Sequence, residues 1–248
     1  MGDFTFNGRN SAFFGLQVEK YPKITKPKKR IQSVTIPGRS GDLHLWDGSY
    51  EDVTVQYSCW WKNTSPEVPT ADVATRIAEW LYTAPAGAQL TDTYNDQVFR
   101  EATFIGPLDI ENVLDRFGRV TISFKCSPKA YLSQGSEGIE VRGQTRVISN
   151  PTPFPTKPLL EITGKVSGIV TVNNDIISIR FEGADDRRTI TVDCESLEAW
   201  ETIDGQEVSR NLWVVLDNAP PTLMPNDNII SIDGGVESVK VYPRFYTL

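Results

Sequence analysis

Asp52-Val53-Thr54-Val55-Gln56-Tyr57-Ser58-Cys59 alternates polar and apolar side chains, and Arg119-Val120-Thr121-Ile122-Ser123-Phe124-Lys125-Cys126 repeats the pattern later in the chain. Successive side chains of a strand point to opposite faces, so each octet reads as a half-buried β-strand. The second half adds Gly168-Ile169-Val170-Thr171-Val172, Ile176-Ile177-Ser178-Ile179-Arg180-Phe181 and Thr189-Ile190-Thr191-Val192-Asp193-Cys194. Asn173-Asn174-Asp175, between the first two, tolerates positive φ and predicts a tight hairpin. Asp47-Gly48, Asp204-Gly205 and Asp233-Gly234-Gly235 are further hairpin-type signals. Strands recurring at short, even spacing predict a mainly β chain built as a sandwich or barrel.

One helix interrupts the pattern, over about residues 70–83. Thr70 supplies an N-cap, Asp72 suits the positive helix start, and Val73, Ile77, Trp80 and Leu81 share one face that packs on a sheet. Pro85 and Gly87 end it. From Ser133 to Pro158 the composition shifts, closing on Asn150-Pro151-Thr152-Pro153-Phe154-Pro155-Thr156-Lys157-Pro158. Prolines at alternate positions hold a chain extended and semi-rigid. The expected division is therefore an N-terminal β domain with one helix over 1–135, a Pro-rich linker over 136–158 and an all-β domain over 159–248.

With 248 residues, 39% of them hydrophobic, the chain can build a packed core, and a net charge of −7 is too small to keep it unfolded. No apolar run approaches the roughly 20 residues of a membrane-spanning helix. Met1-Gly2-Asp3-Phe4-Thr5-Phe6 lacks the basic and apolar regions of a secretion signal, so a soluble protein made in a cytoplasm is expected. Charge is unevenly placed. Residues 1–30 carry seven basic side chains against two acidic ones, whereas 31–150 carry ten against fifteen and 151–248 eight against fifteen. A basic arm on an acidic body suits self-association, because opposite patches steer encounter and set register. Nucleic-acid recognition would call for a basic face on the folded domain itself, and none is expected.

Chemistry is hard to find. Cys59, Cys126 and Cys194 are an odd set at no metal-ligand spacing, each inside a strand-like run, and read as buried thiols. The one histidine, His44, sits on the polar beat of Asp42-Leu43-His44-Leu45-Trp46, which disfavours zinc and histidine-based nucleophile chemistry. The phosphate-loop, dinucleotide, nucleophile-elbow and zinc-protease motifs are missing. Adjacent carboxylates such as Glu51-Asp52, Asp92 with Asp96, and Asp185-Asp186 arise by chance in an acidic chain. Asp185-Asp186-Arg187-Arg188 reads as a self-neutralising hairpin tip. No catalytic, cofactor or metal residue is nominated, and a wall-degrading enzyme is not expected.

Several segments in fixed order carry a resemblance to a known family: Phe4-Thr5-Phe6-Asn7-Gly8-Arg9-Asn10-Ser11, Ile36-Pro37-Gly38-Arg39-Ser40-Gly41, Phe124-Lys125-Cys126-Ser127-Pro128-Lys129-Ala130-Tyr131, and Lys157-Pro158-Leu159-Leu160-Glu161-Ile162-Thr163-Gly164. The chain closes on Pro221-Thr222-Leu223-Met224-Pro225-Asn226-Asp227-Asn228-Ile229-Ile230-Ser231-Ile232 and Val239-Lys240-Val241-Tyr242-Pro243-Arg244-Phe245. Together they resemble the distal tail proteins (Dit) of siphoviruses, the long-tailed, non-contractile bacteriophages. Asn226 stands where such proteins usually have glycine, and asparagine is the next most tolerant residue at positive φ. The resemblance implies an N-terminal β-sandwich-like domain that forms a homo-hexameric ring and a C-terminal galectin-like β-sandwich. It also implies a place at the virion's tail tip after assembly in the host bacterial cytoplasm. The partners would be the major tail tube protein, a tail-tip hub or tail-associated lysin-type protein, and receptor-binding proteins. Lys26, Lys28, Lys29, Arg30 and Arg39 are the candidate assembly residues. The alternative reading is a carbohydrate-binding module for host wall glycans. Trp200 is its stacking candidate and Trp213 a weaker one on a core-like beat; galactoside recognition of the galectin kind is not expected, because residues 151–248 hold no histidine.

Overall fold

The computed structural model describes residues 2–63, 68–114, 117–143, 145–181, 187–217 and 219–248, with the side chains of 112–114 left aside. The chain is mainly β with one α-helix, and it divides into two compact units: Met1–Ala130 together with Leu248, and Tyr131–Thr247.

The first unit holds β1 (Phe4–Phe6), β2 (Arg9–Asn10), β3 (Leu16–Val18), β4 (Lys29–Val34), β5 (Leu43–Tyr50), β6 (Val53–Lys62), α1 (Thr70–Tyr82), β7 (Ala88–Asp92), β8 (Val98–Phe104), β9 (Ile110–Leu114) and most of β10 (Phe117–Leu132). Its main sheet runs β2-β1-β7-β8-β10-β6-β3, with β9 also on β10. The alternating octets 52–59 and 119–126 lie side by side: Cys126 pairs with Val53, Phe124 with Val55, Ile122 with Tyr57 and Val120 with Cys59. Directly opposed residues share a face, so this register turns both apolar sets inward; a slip by one would put them in water. Gly2, just ahead of β1, bridges Val18 at the far edge, which rolls the sheet up and closes most of its edge.

Aromatic rings fill the interior. Phe4 stacks on Tyr57 with centroids 4.6 Å apart, and Trp80 stacks on Phe14 at 4.4 Å. The α1 face buries Ile77, Trp80 and Leu81 against this sheet, and the Trp80 Nε1–H donates to the Phe6 carbonyl at 3.1 Å. Pro69, not Thr70, occupies the N-cap position. Its extended backbone makes Thr70 the first residue to take helical dihedrals.

The second unit holds β11 (Ile139–Arg142), β12 (Thr145–Asn150), β13 (Leu159–Val172), β14 (Asp175–Ile179), β15 (Arg188–Asp193), β16 (Glu198–Ile203), β17 (Gln206–Ser209), β18 (Val214–Asp217), β19 (Asn226–Tyr242) and β20 (Tyr246–Thr247). It is one sheet folded over on itself. Residues 159–164 of β13 pair with β15 and with the end of β19, while residues 168–172 pair with β14 and with the middle of β19. One layer therefore reads β11-β19-β13-β15-β16-β17 and the other β12-β19-β13-β14-β18. Leu160, Ile162, Val239 and Val241 from the first meet Val170, Val172, Ile177 and Ile230 from the second in a single core. This is a sandwich whose two long strands run through both layers.

The fold-over needs backbone where side chains would not fit. A Cβ on Gly235 would lie 2.3 Å from the Val166 carbonyl oxygen, and one on Gly164 would lie 2.5 Å from that of Gly235. The register shifts here, between Thr163 and Gly168. Asp233-Gly234-Gly235 is accordingly a bend inside β19, not the hairpin its composition announces. Asp47-Gly48 likewise lies inside β5, and the β4–β5 turn falls at 35–42. The other two signals do make tight hairpins. Val172 pairs with Asp175 around Asn173 (φ 56°), and Ile203 pairs with Gln206 around Asp204 and Gly205 (φ 50° and 78°).

The segment expected as a linker differs most. Within 136–158, β11 and β12 both pair with β19, and Thr156 bridges Leu223. Where the prolines announce an extended stretch, the chain bends at 152–154, and hydrogen bonds fasten residues 150–156 to the second unit. Asn150 Nδ2–H donates to the Phe154 carbonyl at 2.9 Å, and Thr156 Oγ1–H to the Pro243 carbonyl at 2.7 Å. Asp185 and Asp186 lie outside the described residues; Arg187 pairs with Glu237 and Arg188 with Glu201.

Candidate assembly interface

The β4–β5 ribbon forms a two-stranded sheet of its own. Ile31 opposes Trp46 and Ser33 opposes His44 on one face, while Gln32 opposes Leu45 and Val34 opposes Leu43 on the other. Both faces are therefore partly apolar, and both are wet: Ile31 is 50% exposed, Leu45 49% and Trp46 46%. A lone two-stranded ribbon is marginal in water, and this one leaves apolar surface uncovered on each side. Local bonds shape it. The Trp46 Nε1–H donates to the Ser49 carbonyl at 2.9 Å, Lys29 Nζ lies 4.3 Å from the Trp46 ring centre, and Thr35 Oγ1–H donates to Asp42 at 2.9 Å. Ser49 donates to Asp47 through its hydroxyl and its N–H, which with nearby Arg30 holds that carboxyl below its ordinary range.

The structure gathers the basic candidates in this region. Lys29 and Arg30 lie on β4, and Arg39 lies in the exposed turn, where its N–H donates to the Ile36 carbonyl at 3.1 Å. Lys26 and Lys28 line an open cleft of about 350 Å³ with Lys23, Glu51 and Asp52 at the ribbon's base. Lys26 Nζ–H donates to the Leu248 main-chain oxygen, and Asp52 pairs with Lys125 at 3.2 Å. Leading into the ribbon, residues 21–28 run without regular structure and expose Tyr21 and Ile24, the latter by 84%. Sequence reasoning marked the charges and missed the apolar half of this surface. Its signal was present in Ile31, Val34, Leu45 and Trp46, apolar residues on both beats of neighbouring strands.

Burial pushes the thiols of Cys59 and Cys194 up to about 12 and that of Cys126 to about 11, away from nucleophilic use. His44 Nδ1 lies 2.9 Å from Ser33 Oγ on the exposed ribbon. Among the described residues, no group of three or more His, Cys, Asp or Glu side chains could hold a metal ion, and no helix is long and apolar enough to cross a membrane. In the second unit, Trp213 is flanked by the guanidinium groups of Arg188 and Arg210, both bound to the largely buried Glu201. Trp200 lies on β16, opposite Thr191 and Ser209.

The whole-chain path of these strands matches that of SPP1 Dit, described as a paradigm of the hub adsorption apparatus in phages infecting Gram-positive bacteria. The TM-score is 0.69 at 13% identity, over 97% of this chain and 98% of that one. The chain has the fold of a phage distal tail protein. Chains of the phage p2 baseplate in its activated conformation match this chain more loosely. The form with Ca gives a TM-score of 0.57 at 9% identity over 100% of both chains, and the form with Sr gives 0.54 at 9% identity over 97% and 98%. No protein-family model and no curated protein matches the chain. At such identities the likeness is one of fold.

Proposed function

We propose that this chain is a non-enzymatic structural protein of a phage tail tip, which closes into a hexameric ring joining the tail tube to the adsorption apparatus. The observation that carries the reading is the distal tail protein fold over nearly the full length of the chain, bearing a ribbon that cannot cover its own apolar faces. In this reading the ribbon and the basic stretch 20–30 reach an acidic surface on the neighbouring copy, with Lys26, Lys28, Lys29, Arg30 and Arg39 setting register. Ring closure covers Ile31, Val34, Leu45 and Trp46. One face of the ring then meets the major tail tube protein, and the other meets a tail-tip hub or lysin-type protein and receptor-binding proteins.

Negative-stain electron microscopy of the purified chain across a salt series tests the proposal. Closed six-fold rings with a central hole are expected at low and moderate salt. Reversal of Lys26, Lys28, Lys29 and Arg30 to glutamate should disperse them while lowering the monomer's thermal unfolding only slightly, since their contacts within the chain are exposed. Monomers at every salt and protein concentration would refute the ring, and rings indifferent to the four reversals would refute the basic contact.

A further inference from the structure

The two layers of the second unit differ on their outer faces. At the centre of the β11-β19-β13-β15-β16-β17 layer, Glu161, Thr163, Thr189 and Thr191 point outward, and the hydroxyls of Thr163 and Thr189 are hydrogen-bonded at 2.9 Å. The β12-β19-β13-β14-β18 layer instead turns apolar side chains to water. Val147 is 55% exposed, Ile229 53%, Val215 57% and Ile169 40%. Their chain neighbours Ile148, Ile230, Val214 and Val170 pack into the core, so strand alternation fixes the outward direction. Val147 opposes Ile229 in one row; Ile169 opposes Ser178, which opposes Val215, in another. An apolar patch of this kind, rimmed by polar groups, marks an interaction surface.

Carboxylates stand beside these apolar groups. Asp227 is two residues from Ile229 on β19, Asp217 is two from Val215 on β18, and Asp233 opposes Ile169. Among the described residues, none of the three forms an ion pair; Arg180, just past β14, borders the face. The complement of such a surface is a segment with exposed apolar side chains and lysines beside them. Lys20-Tyr21-Pro22-Lys23-Ile24-Thr25-Lys26-Pro27-Lys28 has that composition. Its own chain leaves Ile24 84% and Tyr21 78% exposed. Lys20 and Lys26 are six residues apart, as are Asp227 and Asp233; at about 3.3 Å per residue of extended chain, both intervals come to about 20 Å. Pro22 and Pro27 lack an N–H to give to a sheet edge, so this segment suits the face of a sheet better than its edge.

We propose that residues 20–28 of one copy lie across the outer face of the β12-β19-β13-β14-β18 layer of a second copy. Ile24 covers the apolar patch, while Lys20, Lys23 and Lys26 meet its carboxylates. Exposed ion pairs contribute little singly, so apolar cover holds the contact and charge sets its register. The inference rests on the ring proposed above and names the acidic surface that the basic stretch reaches. It also gives the second unit a part in ring closure.

Sedimentation velocity and negative-stain microscopy of the intact chain over a concentration series test the contact. Asp217→Lys with Asp227→Lys is expected to raise the half-assembly concentration about tenfold or more. Adding Lys20→Glu and Lys23→Glu to that same chain restores opposite charges and should bring the value back to within about threefold of the parent. Ile24→Ser, which changes no charge, should also weaken assembly. Should the reversed chain fail to fold, Asp217→Asn with Asp227→Asn, and Ile24→Ser, decide the matter. Parent rings that survive the aspartate reversals and Ile24→Ser overturn this contact and leave the ring standing. Rings lost to the aspartate reversals but not recovered by the lysine reversals overturn it as well. A parent that stays monomeric at every concentration overturns the ring itself, and this contact with it.

Discussion

Asn228 is expected to carry about 3 kcal/mol of the second unit's stability. Its side chain is 0% exposed and saturated. Oδ1 accepts from the Met224 N–H at 2.7 Å and from Asn173 Nδ2 at 2.9 Å, and Nδ2 donates to the carbonyls of Met224 at 2.8 Å, Asn226 at 2.9 Å and Ile148 at 3.3 Å. These bonds tie β12, the β13–β14 turn and the loop before β19 to one point. In Asn228→Ala a lost bond costs about 0.5–1 kcal/mol net, and the three Nδ2 contacts share two hydrogens, so they amount to fewer than three full bonds. The several bonds together give about 3 kcal/mol, or about 10 °C in the melting of a unit this size. Asn228→Asp keeps the shape and the acceptor but points carboxylate oxygen at three carbonyls, so at pH 7 it should be less stable than Asn228→Ala. Burial among carbonyls raises such a carboxyl's pKa in the folded state. The folded aspartate variant therefore binds more protons, and its deficit should shrink as pH falls toward the ordinary value of about 3.9. Scanning calorimetry at pH 7 and pH 4 on the three proteins measures this. An alanine variant within about 0.5 kcal/mol of the parent, or an aspartate variant more stable than alanine at pH 7, would refute the reasoning.

Gly235→Ala should destabilise the second unit by about 2–3 kcal/mol through collision with the Val166 backbone, whereas Gly143→Ala, where φ is 80° but nothing lies within 4 Å, should cost only about 1 kcal/mol; paired thermal melts separate them. Burial alone pushes the Asp193 carboxyl up, but the two bonds from Arg244 and the N–H groups of Glu195 and Ser196 outweigh it and hold the pKa below its usual value. That stabilisation is present above the unfolded value of about 3.9 and fades as pH falls through the lower folded one, so Arg244→Ala should flatten stability over that acid range in a pH–denaturation series. Native protein should leave Cys59, Cys126 and Cys194 unreactive to a thiol reagent, with three thiols titrating after denaturation; a fast-reacting thiol in the native state contradicts their burial.

Alternation made the paired octets of β6 and β10 legible, because a period of two has one physical meaning in a half-buried sheet. Two tight hairpins were legible for a similar reason, at Asn173 and at Asp204-Gly205. The Asp233-Gly234-Gly235 bend was misread because glycine serves positive φ and close backbone approach alike, and only the position of Val166 tells which is needed. The stretch 136–158 was read from its prolines, although Thr145-Arg146-Val147-Ile148-Ser149-Asn150 pairs along six residues of β19. That partner lies about eighty residues away, beyond any local signal. Long-range pairing also hid the link between two segments the sequence did single out: Arg244 of the closing stretch binds Asp193 beside Cys194. For the assembly surface, charge was readable and exposure was not, since Ile31 and Trp46 look like core residues until the ribbon is seen to stand alone.

The two long strands of the second unit also govern how it answers to force. Since β13 and β19 pass through both layers and pair along most of their lengths, a pull on either layer loads the same pair of strands. The layers cannot peel away one after the other, as two sheets joined only by loops could. Rupture must shear that central pair as a whole, so the unit should yield in a single event.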